Sequence, residues 1–287
     1  MAAEIKGTTK LCALVGDPVE HTLSPAMHNA AFEYLGIDLV YIPFRVTREN
    51  LGDAVQGLVS LDCTGFNVTI PHKIAVIPLL DEVDETAARV GAVNTVVIKN
   101  RQTRGYNTDG DGFLKALRSE TLEPSGKSVV MLGAGGAARS IAYALVYAGA
   151  HLTILNRTPE KAVGLADDVA RDTGNRPGAG GLTGDSLEEL LSCADILVNT
   201  TSAGMVTTGS ANLVPEGLLR PGLAVCDIIY NPPETGLLKL AKAAGCRTMN
   251  GIGMLVHQGA LAFELWTGRP APTDVMMKTV LAELGVA

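Results

Sequence analysis

Lys73 and Asp109 are the residues of this sequence best suited to move a proton. An ammonium and a carboxylate within reach of one substrate hydroxyl form a proton-transfer pair, because hydride delivery to a carbonyl leaves an oxygen that must be protonated. Other polar residues stand where apolar ones are expected beside strands: Thr22 and Ser24 at a helix start, Asn67 and Thr69 after a strand, Asn94 at the start of another, and Asn107-Thr108 just before Asp109. Singly, each has a plainer role, with Ser24 as a helix N-cap, Asn94 as a turn residue and Asp109 as the cap of a helix over Gly110 to Leu117. Together they supply hydroxyl, amide, ammonium and carboxylate groups at strand ends, where open α/β sheets bind ligands, and they describe a site for a polyol.

A second constellation is Gly133-Ala134-Gly135-Gly136-Ala137-Ala138, which fits G-x-G-x-x-[GA] and lies between a predicted strand and a predicted helix. Gly133 permits the tight turn, Gly135 lets backbone N–H groups approach a pyrophosphate, and Ala138 lets helix and strand pack closely. At the end of the next strand an NAD site would carry Asp or Glu for the ribose 2′-hydroxyl, whereas this chain has Asn156-Arg157-Thr158 and then Lys161. A 2′-phosphate matches the guanidinium fork of Arg157 and the point charge of Lys161, so NADP(H) is the expected cofactor. Positive charge at a helix start opposes the helix dipole, a local cost that favours a ligand role.

Other chemistries find less support. No G-x-S-x-G elbow accompanies a Ser-His-Asp set. His21, His28, His72, His151 and His257 are scattered without metal-ligand spacing, so no metal is expected. Cys12, Cys63, Cys193, Cys226 and Cys246 form no C-x-x-C pair and read as reduced, buried small hydrophobes. Lys+Arg 23 against Asp+Glu 30 leaves a net charge of −7 over 287 residues, which argues against a nucleic-acid or membrane-surface partner. With 47% hydrophobic and 18% charged residues a real core is expected and bulk disorder is excluded, while 4% aromatic residues do not make a stacking platform for single strands. Glu4 and Lys6 precede the first strand without an apolar run, so no secretory signal and a cytoplasmic protein are expected. The run Ile141 to Leu155 is shorter than a membrane span and is broken by Gly149 and His151.

The elements that must position these residues follow from periodicity. Strands are expected at Leu11 to Val15, Val40 to Phe44 and Gly65 to Ile70, with a hairpin of Val93 to Ile98 and Arg104 to Asn107 around Asn100-Arg101. Ser24-Pro25 opens a helix to Leu35, as N-cap and first helical residue, and Gly36 stops it. After a polar lead at Thr121 to Lys127 comes a βαβα succession: Ser128 to Leu132, Ala137 to Ala148, His151 to Leu155 and Pro159 to Asp172. Gly174 to Gly184 reads as a surface connection, and Ser186 with Glu189 as a capping box. Strands at Asp195 to Asn199 and Ala224 to Ile229, a helix at Thr235 to Ala244, and two last helices, Met254 to Thr267 and Thr273 to Leu284, complete an α/β chain.

Seven segments, in order, resemble the shikimate dehydrogenase family. They are Thr22-Leu23-Ser24-Pro25-Ala26-Met27-His28-Asn29, Asn67 to Lys73, Gly91 to Thr95, Asn107 to Gly110, Gly133 to Ala137, Asn156 to Thr158, and Gly251 to Gln258. The sequence departs from the commonest pattern at Leu23, usually basic, and at Thr22, usually Ser, where the hydroxyl is kept. The resemblance implies two domains: an N-terminal α/β substrate domain with a mixed sheet over 1–110, and a Rossmann-type NADP-binding domain over 111–250. The C-terminal helices over 251–287 would return to the substrate domain. It implies reversible, NADPH-dependent reduction of 3-dehydroshikimate to shikimate, a step of aromatic amino-acid biosynthesis. Thr22 and Ser24 would hold the carboxylate with Tyr230 nearby, while Thr69, Lys73, Asn94, Asp109 and Gln258 would contact the ring hydroxyls, Lys73 being catalytic. Glu85, Ile228 and Gly251 match positions that approach the nicotinamide half of the cofactor, and Gly133, Ala134, Gly135, Gly136, Ala137, Asn156, Arg157, Thr158 and Lys161 match the rest of its site. Two rivals are a catabolic quinate/shikimate dehydrogenase, often NAD-linked, and a non-catalytic NADPH-sensing regulator. Arg157 argues against the first, and the Lys73–Asp109 pair against the second. Oligomeric state stays open, a homodimer included.

Overall fold

The computed structural model describes residues 5–205 and 213–286, which leaves Glu4 outside. The chain divides into one unit made of the residues up to Gly112 and from Val256 onward, and a second made of Phe113–Leu255.

The first unit carries the strands β1 (Lys10–Gly16), β2 (Leu39–Arg45), β3 (Gly65–Val68), β4 (Glu82–Val83), β5 (Thr95–Lys99) and β6 (Gln102–Tyr106), in the sheet order β2-β1-β3-β5-β6-β4. β1 runs parallel to β2 and β3, and β5 runs antiparallel to β3 and β6, so the sheet is mixed. Asn100 (φ 53°) and Arg101 (φ 62°) make the two-residue turn that joins β5 to β6, with Lys99 opposite Gln102. The helices here are α1 (Ser24–Tyr34), α2 (Leu51–Ser60), α3 (Glu85–Val90) and the start of α4 (Asp109–Ser119). α2 and α3 were not expected. α2 carries Gly52 and Gly57 and is held by burying Leu51, Val55 and Leu58 under the sheet. α1 begins one residue earlier than the Ser24-Pro25 pattern suggests: Leu23 is its N-cap, Ser24 its first residue, and no side chain caps it.

The second unit holds β7 (Ser128–Leu132), α5 (Gly136–Tyr147), β8 (His151–Asn156), α6 (Pro159–Thr173), β9 (Gly178–Gly181), α7 (Gly184–Cys193), β10 (Ile196–Asn199), β11 (Ala224–Asp227), α8 (Gly236–Ala243) and β12 (Arg247–Met249). Its strands are all parallel, in the order β12-β11-β10-β7-β8-β9. That is the doubly wound Rossmann arrangement, with its switch point between β7 and β10. Two expectations are corrected. The Gly-rich connection contains the edge strand β9, whose glycines let it lie close on β8; a Cβ at Gly178 would stand 2.8 Å from the Thr153 hydroxyl. The capping box of α7 is Thr183 with Ser186, not Ser186 with Glu189. Among the cysteines, Cys12, Cys63 and Cys226 are buried, Cys246 is half-buried and Cys193 is exposed, because Cys193 ends α7 on its outer face.

The last helices, α9 (Ile252–Thr267) and α10 (Thr273–Glu283), pack on the first unit from Val256 onward. The Trp266 indole donates to the Val96 carbonyl at 3.0 Å, and α10 lies against α1. The two units meet within α4, at Gly112/Phe113, and within α9, at Leu255/Val256. No helix among the described residues is long and apolar enough to cross a membrane.

Candidate active site

Strand direction in the first unit gathers the polar residues. β1 and β3 end where the antiparallel β5 begins and β6 ends, so the segments after Gly16 and Val68, before Thr95 and after Tyr106 share one end of the sheet. Thr22 and Ser24 follow β1, Thr69 and Lys73 follow β3, Asn94 precedes β5, and Asp109 follows β6.

At the centre the Lys73 ammonium donates to Asp109 Oδ2 at 2.5 Å, with side chains 15% and 4% exposed. Burial at this level leaves the pair little screening by water. Asp109 is the first residue of α4, and its other oxygen accepts from the Asn94 amide at 2.8 Å. Asn94 is the hub. Its Nδ2 also lies 2.8 Å from the Thr108 hydroxyl and 3.4 Å from Gln258 Oε1, and its Oδ1 accepts the Thr108 N–H at 2.9 Å. Asn94, at the bend before β5, therefore does more than turn the chain. Beneath it, Asn67 donates to the Asn94 carbonyl (3.1 Å) and the Thr95 hydroxyl (3.0 Å) and accepts from the Tyr41 hydroxyl (2.7 Å). Asn67 thus acts as a support below the site, and Thr108, one of the polar residues singled out in the sequence, completes the Asn94 clamp. The hydroxyls of Thr22 and Ser24 lie 3.2 Å apart at the N-terminus of α1, whose first turn has no acidic residue, an arrangement suited to a carboxylate. Thr69 is half-buried, its N–H bonded to the Val15 carbonyl. The candidate residues Thr22, Ser24, Thr69, Lys73, Asn94, Asp109 and Gln258 all belong to this unit, whereas Tyr230 belongs to the second.

In the second unit, Gly133 adopts φ 111°, open only to glycine, and a Cβ there would stand 2.6 Å from the Thr200 hydroxyl. Gly135 is the N-cap of α5 and supplies no capping side chain, so the first turn, with Gly136 and Ala137 following Ala134 and Gly135, has no side-chain cap. Asn156 ends β8 and its amide donates to the Thr158 carbonyl (2.9 Å); Arg157, Thr158 and Lys161 are exposed at the start of α6. A cavity of about 450 Å³ lies between Arg157, Leu182, Leu187, Val214 and Pro215. A tight glycine turn, an uncapped helix start and a basic strand end beside a cavity fit a phosphorylated dinucleotide. Ile228 follows β11 and Gly251 precedes α9, both in this unit. Glu85 belongs to the first unit, on the opening turn of α3, paired with Arg89.

Comparison with known proteins identifies the family. Residues 14–96 match the shikimate dehydrogenase substrate binding domain, 116–219 the shikimate / quinate 5-dehydrogenase family, and 251–281 the shikimate 5′-dehydrogenase C-terminal domain. The chain is 48% identical over 287 residues to the shikimate dehydrogenase (NADP(+)) of Methanopyrus kandleri, covering 99% of each. A shikimate dehydrogenase solved in complex with NADP+ superposes with a TM-score of 0.93 at 42% identity, covering 98% of each chain. The Thermus thermophilus enzyme solved with NADP(H) and shikimate gives 0.85 at 37% identity, covering 95% of this chain and 99% of that one. The chain belongs to the shikimate dehydrogenase family.

Proposed function

We propose that the protein catalyses the reversible, NADPH-dependent reduction of 3-dehydroshikimate to shikimate, with 1–110 and the C-terminal helices binding substrate and 111–250 binding NADP(H). The buried Lys73–Asp109 pair clamped by Asn94 carries this reading, because a pure sensor of NADPH has no use for a proton-transfer unit. NADPH, when bound, supplies the hydride to the ketone carbon. Lys73 donates a proton to the ketone oxygen as it becomes an alkoxide, yielding the alcohol, and takes it back in the reverse direction. Asp109 aims that ammonium, and Asn94 fixes Asp109. Thr22 and Ser24 hold the carboxylate with Tyr230, while Thr69 and Gln258 orient ring hydroxyls. Arg157 and Lys161 select the 2′-phosphate, while Glu85, Ile228 and Gly251 serve the nicotinamide half.

We place the enzyme in the cytoplasm, where an exposed thiol such as Cys193 stays reduced, and a homodimer is the assembly to test by light scattering. The proposal is tested by incubating the purified protein with 3-dehydroshikimate and NADPH. Oxidation of NADPH with shikimate as the chromatographically identified product is the expected result; NADPH stable under those conditions refutes it.

A further inference from the structure

In a doubly wound sheet the dinucleotide lies over the carboxyl ends of the strands, its halves on either side of the switch point. The glycine turn after β7 and Arg157 after β8 take one side, so the nicotinamide half falls to the loops after β10 and β11. Thr200 to Gly204 and Ile228 to Tyr230 carry no charged side chain. Such loops recognise a ligand through backbone and shape, and their geometry has to be fixed from below.

We infer that Asp227 is a positioning residue for the nicotinamide half of the cofactor, a buried carboxylate that locks both loops in place; the inference rests on the cofactor reading above. Asp227 is the last residue of β11 and is fully buried. One oxygen accepts from the Ile229 N–H and the Asn199 amide, both at 3.1 Å, and the other from the Thr235 hydroxyl at 2.8 Å. Asn199, the equally buried end of β10, passes the constraint on: its Oδ1 accepts the Thr201 N–H at 3.0 Å and the Thr201 hydroxyl at 2.7 Å. Thr235 caps α8 through the Leu238 N–H. The Ile229 carbonyl in turn accepts the Gly251 N–H at 2.9 Å, and a side chain at Gly251 would collide with the Ile228 carbonyl. One carboxylate therefore fixes the β10 loop, the β11 loop and the start of α8, and through Ile229 reaches the chain entering α9.

Burial raises the pKa of Asp227. A well-packed apolar residue would avoid that desolvation cost, so simple packing does not account for the carboxylate. Its three donors do what an apolar residue cannot: they hold backbone and side chains in two loops at fixed angles.

The test compares NADPH with adenosine 2′,5′-bisphosphate, which occupies the β7–β8 side alone, in calorimetric titrations of Asp227→Asn, Thr235→Val and the conservative Thr235→Ser. Thr235→Val removes the donor to Asp227, and with it the α8 cap, at nearly constant shape, and carries the test if Asp227→Asn does not fold. The expected result is a Kd for NADPH raised about tenfold with a lowered kcat, and bisphosphate affinity within about twofold of wild type. Thr235→Ser should restore both parameters. Equal losses for the two ligands, or unchanged NADPH affinity and kcat, overturn the assignment. Wild-type protein that binds neither ligand overturns the cofactor reading, and this assignment with it.

Discussion

Removing the Lys73 ammonium probes the site at its centre. The pair is buried, and Asp109 has two strong donors, Lys73 at 2.5 Å and the Asn94 amide at 2.8 Å. Lys73→Ala leaves the carboxylate with one of them. For a fully buried pair such a break costs about 3–5 kcal/mol of stability. Lys73 keeps 15% exposure, so water can partly replace it and a loss near or below the lower figure is expected in urea denaturation. The chemical effect should be larger. A general acid is worth about 10²–10⁴ in rate, so kcat at saturating 3-dehydroshikimate should fall by at least that range while NADPH affinity stays near wild type. Asp109→Asn keeps the shape and removes the charge that holds the ammonium, and it should also lower kcat. Groups in one hydrogen-bonded network couple by about 0.5–3 kcal/mol, so the double variant should lose less than the product of the single losses, by roughly two- to a hundredfold. The assay is the loss of reduced-nicotinamide absorbance in wild type, both singles and the double. A double loss equal to the product of the singles would show that the residues act separately and would refute the paired proton-transfer unit.

Three further outcomes are expected. Arg157→Ala should weaken NADPH binding roughly ten- to a hundredfold and leave NADH almost unaffected, since a charge-assisted contact to the 2′-phosphate is lost; titration with both cofactors checks this. Ser24→Ala should raise KM for the substrate with kcat little changed, because a carboxylate distant from the reacting carbon is bound alike in ground and transition states; steady-state kinetics separate the two. His28 is fully buried, stacked on Tyr41 at 4.5 Å, with neither ring nitrogen hydrogen-bonded among the described residues, and desolvation lowers its pKa from 6.5 to about 3. The folded state therefore refuses a proton that the unfolded chain accepts, so stability should be complete above pH 6.5 and fall as pH drops toward 3, by up to about 4–5 kcal/mol from this group. Fluorescence of Trp266, the single tryptophan and 5.3 Å from His28, reports the transition in denaturant series at several pH values.

What could be read from the residues alone has a physical pattern. Signals that are local survived: Pro25 near the start and Gly36 past the end of α1, the Asn100-Arg101 turn, and the glycine loop with its φ 111° residue. Elements whose stability is tertiary escaped. α2 carries two glycines and is held by burial, β9 is Gly-Ala-Gly-Gly made regular by lying on β8, and β4 and β12 are too short for any period. The site divides the same way. Lys73, Asp109 and Asn94 stood out as polar residues beside strands. Asn67 and Thr108 were among those polar residues too, but their roles as support and clamp were not legible, nor was Asp227 as an anchor, because each has a partner fourteen or more positions away that only the sheet registers bring within reach. Asp227 at the end of an apolar strand could have been questioned for that reason alone.

The most direct measurement of the central claim is a set of four initial-rate series, with shikimate or quinate as the alcohol and NADP+ or NAD+ as the oxidant. The site described here should give its highest kcat/KM with shikimate and NADP+. Replacing NADP+ by NAD+ should lower it at least about tenfold, the equivalent of one lost charge-assisted contact. A maximum with quinate and NAD+, or no reduction of either cofactor by either alcohol, would contradict the assignment of Arg157 and Lys161 to the 2′-phosphate and of Lys73 and Asp109 to the proton transfer.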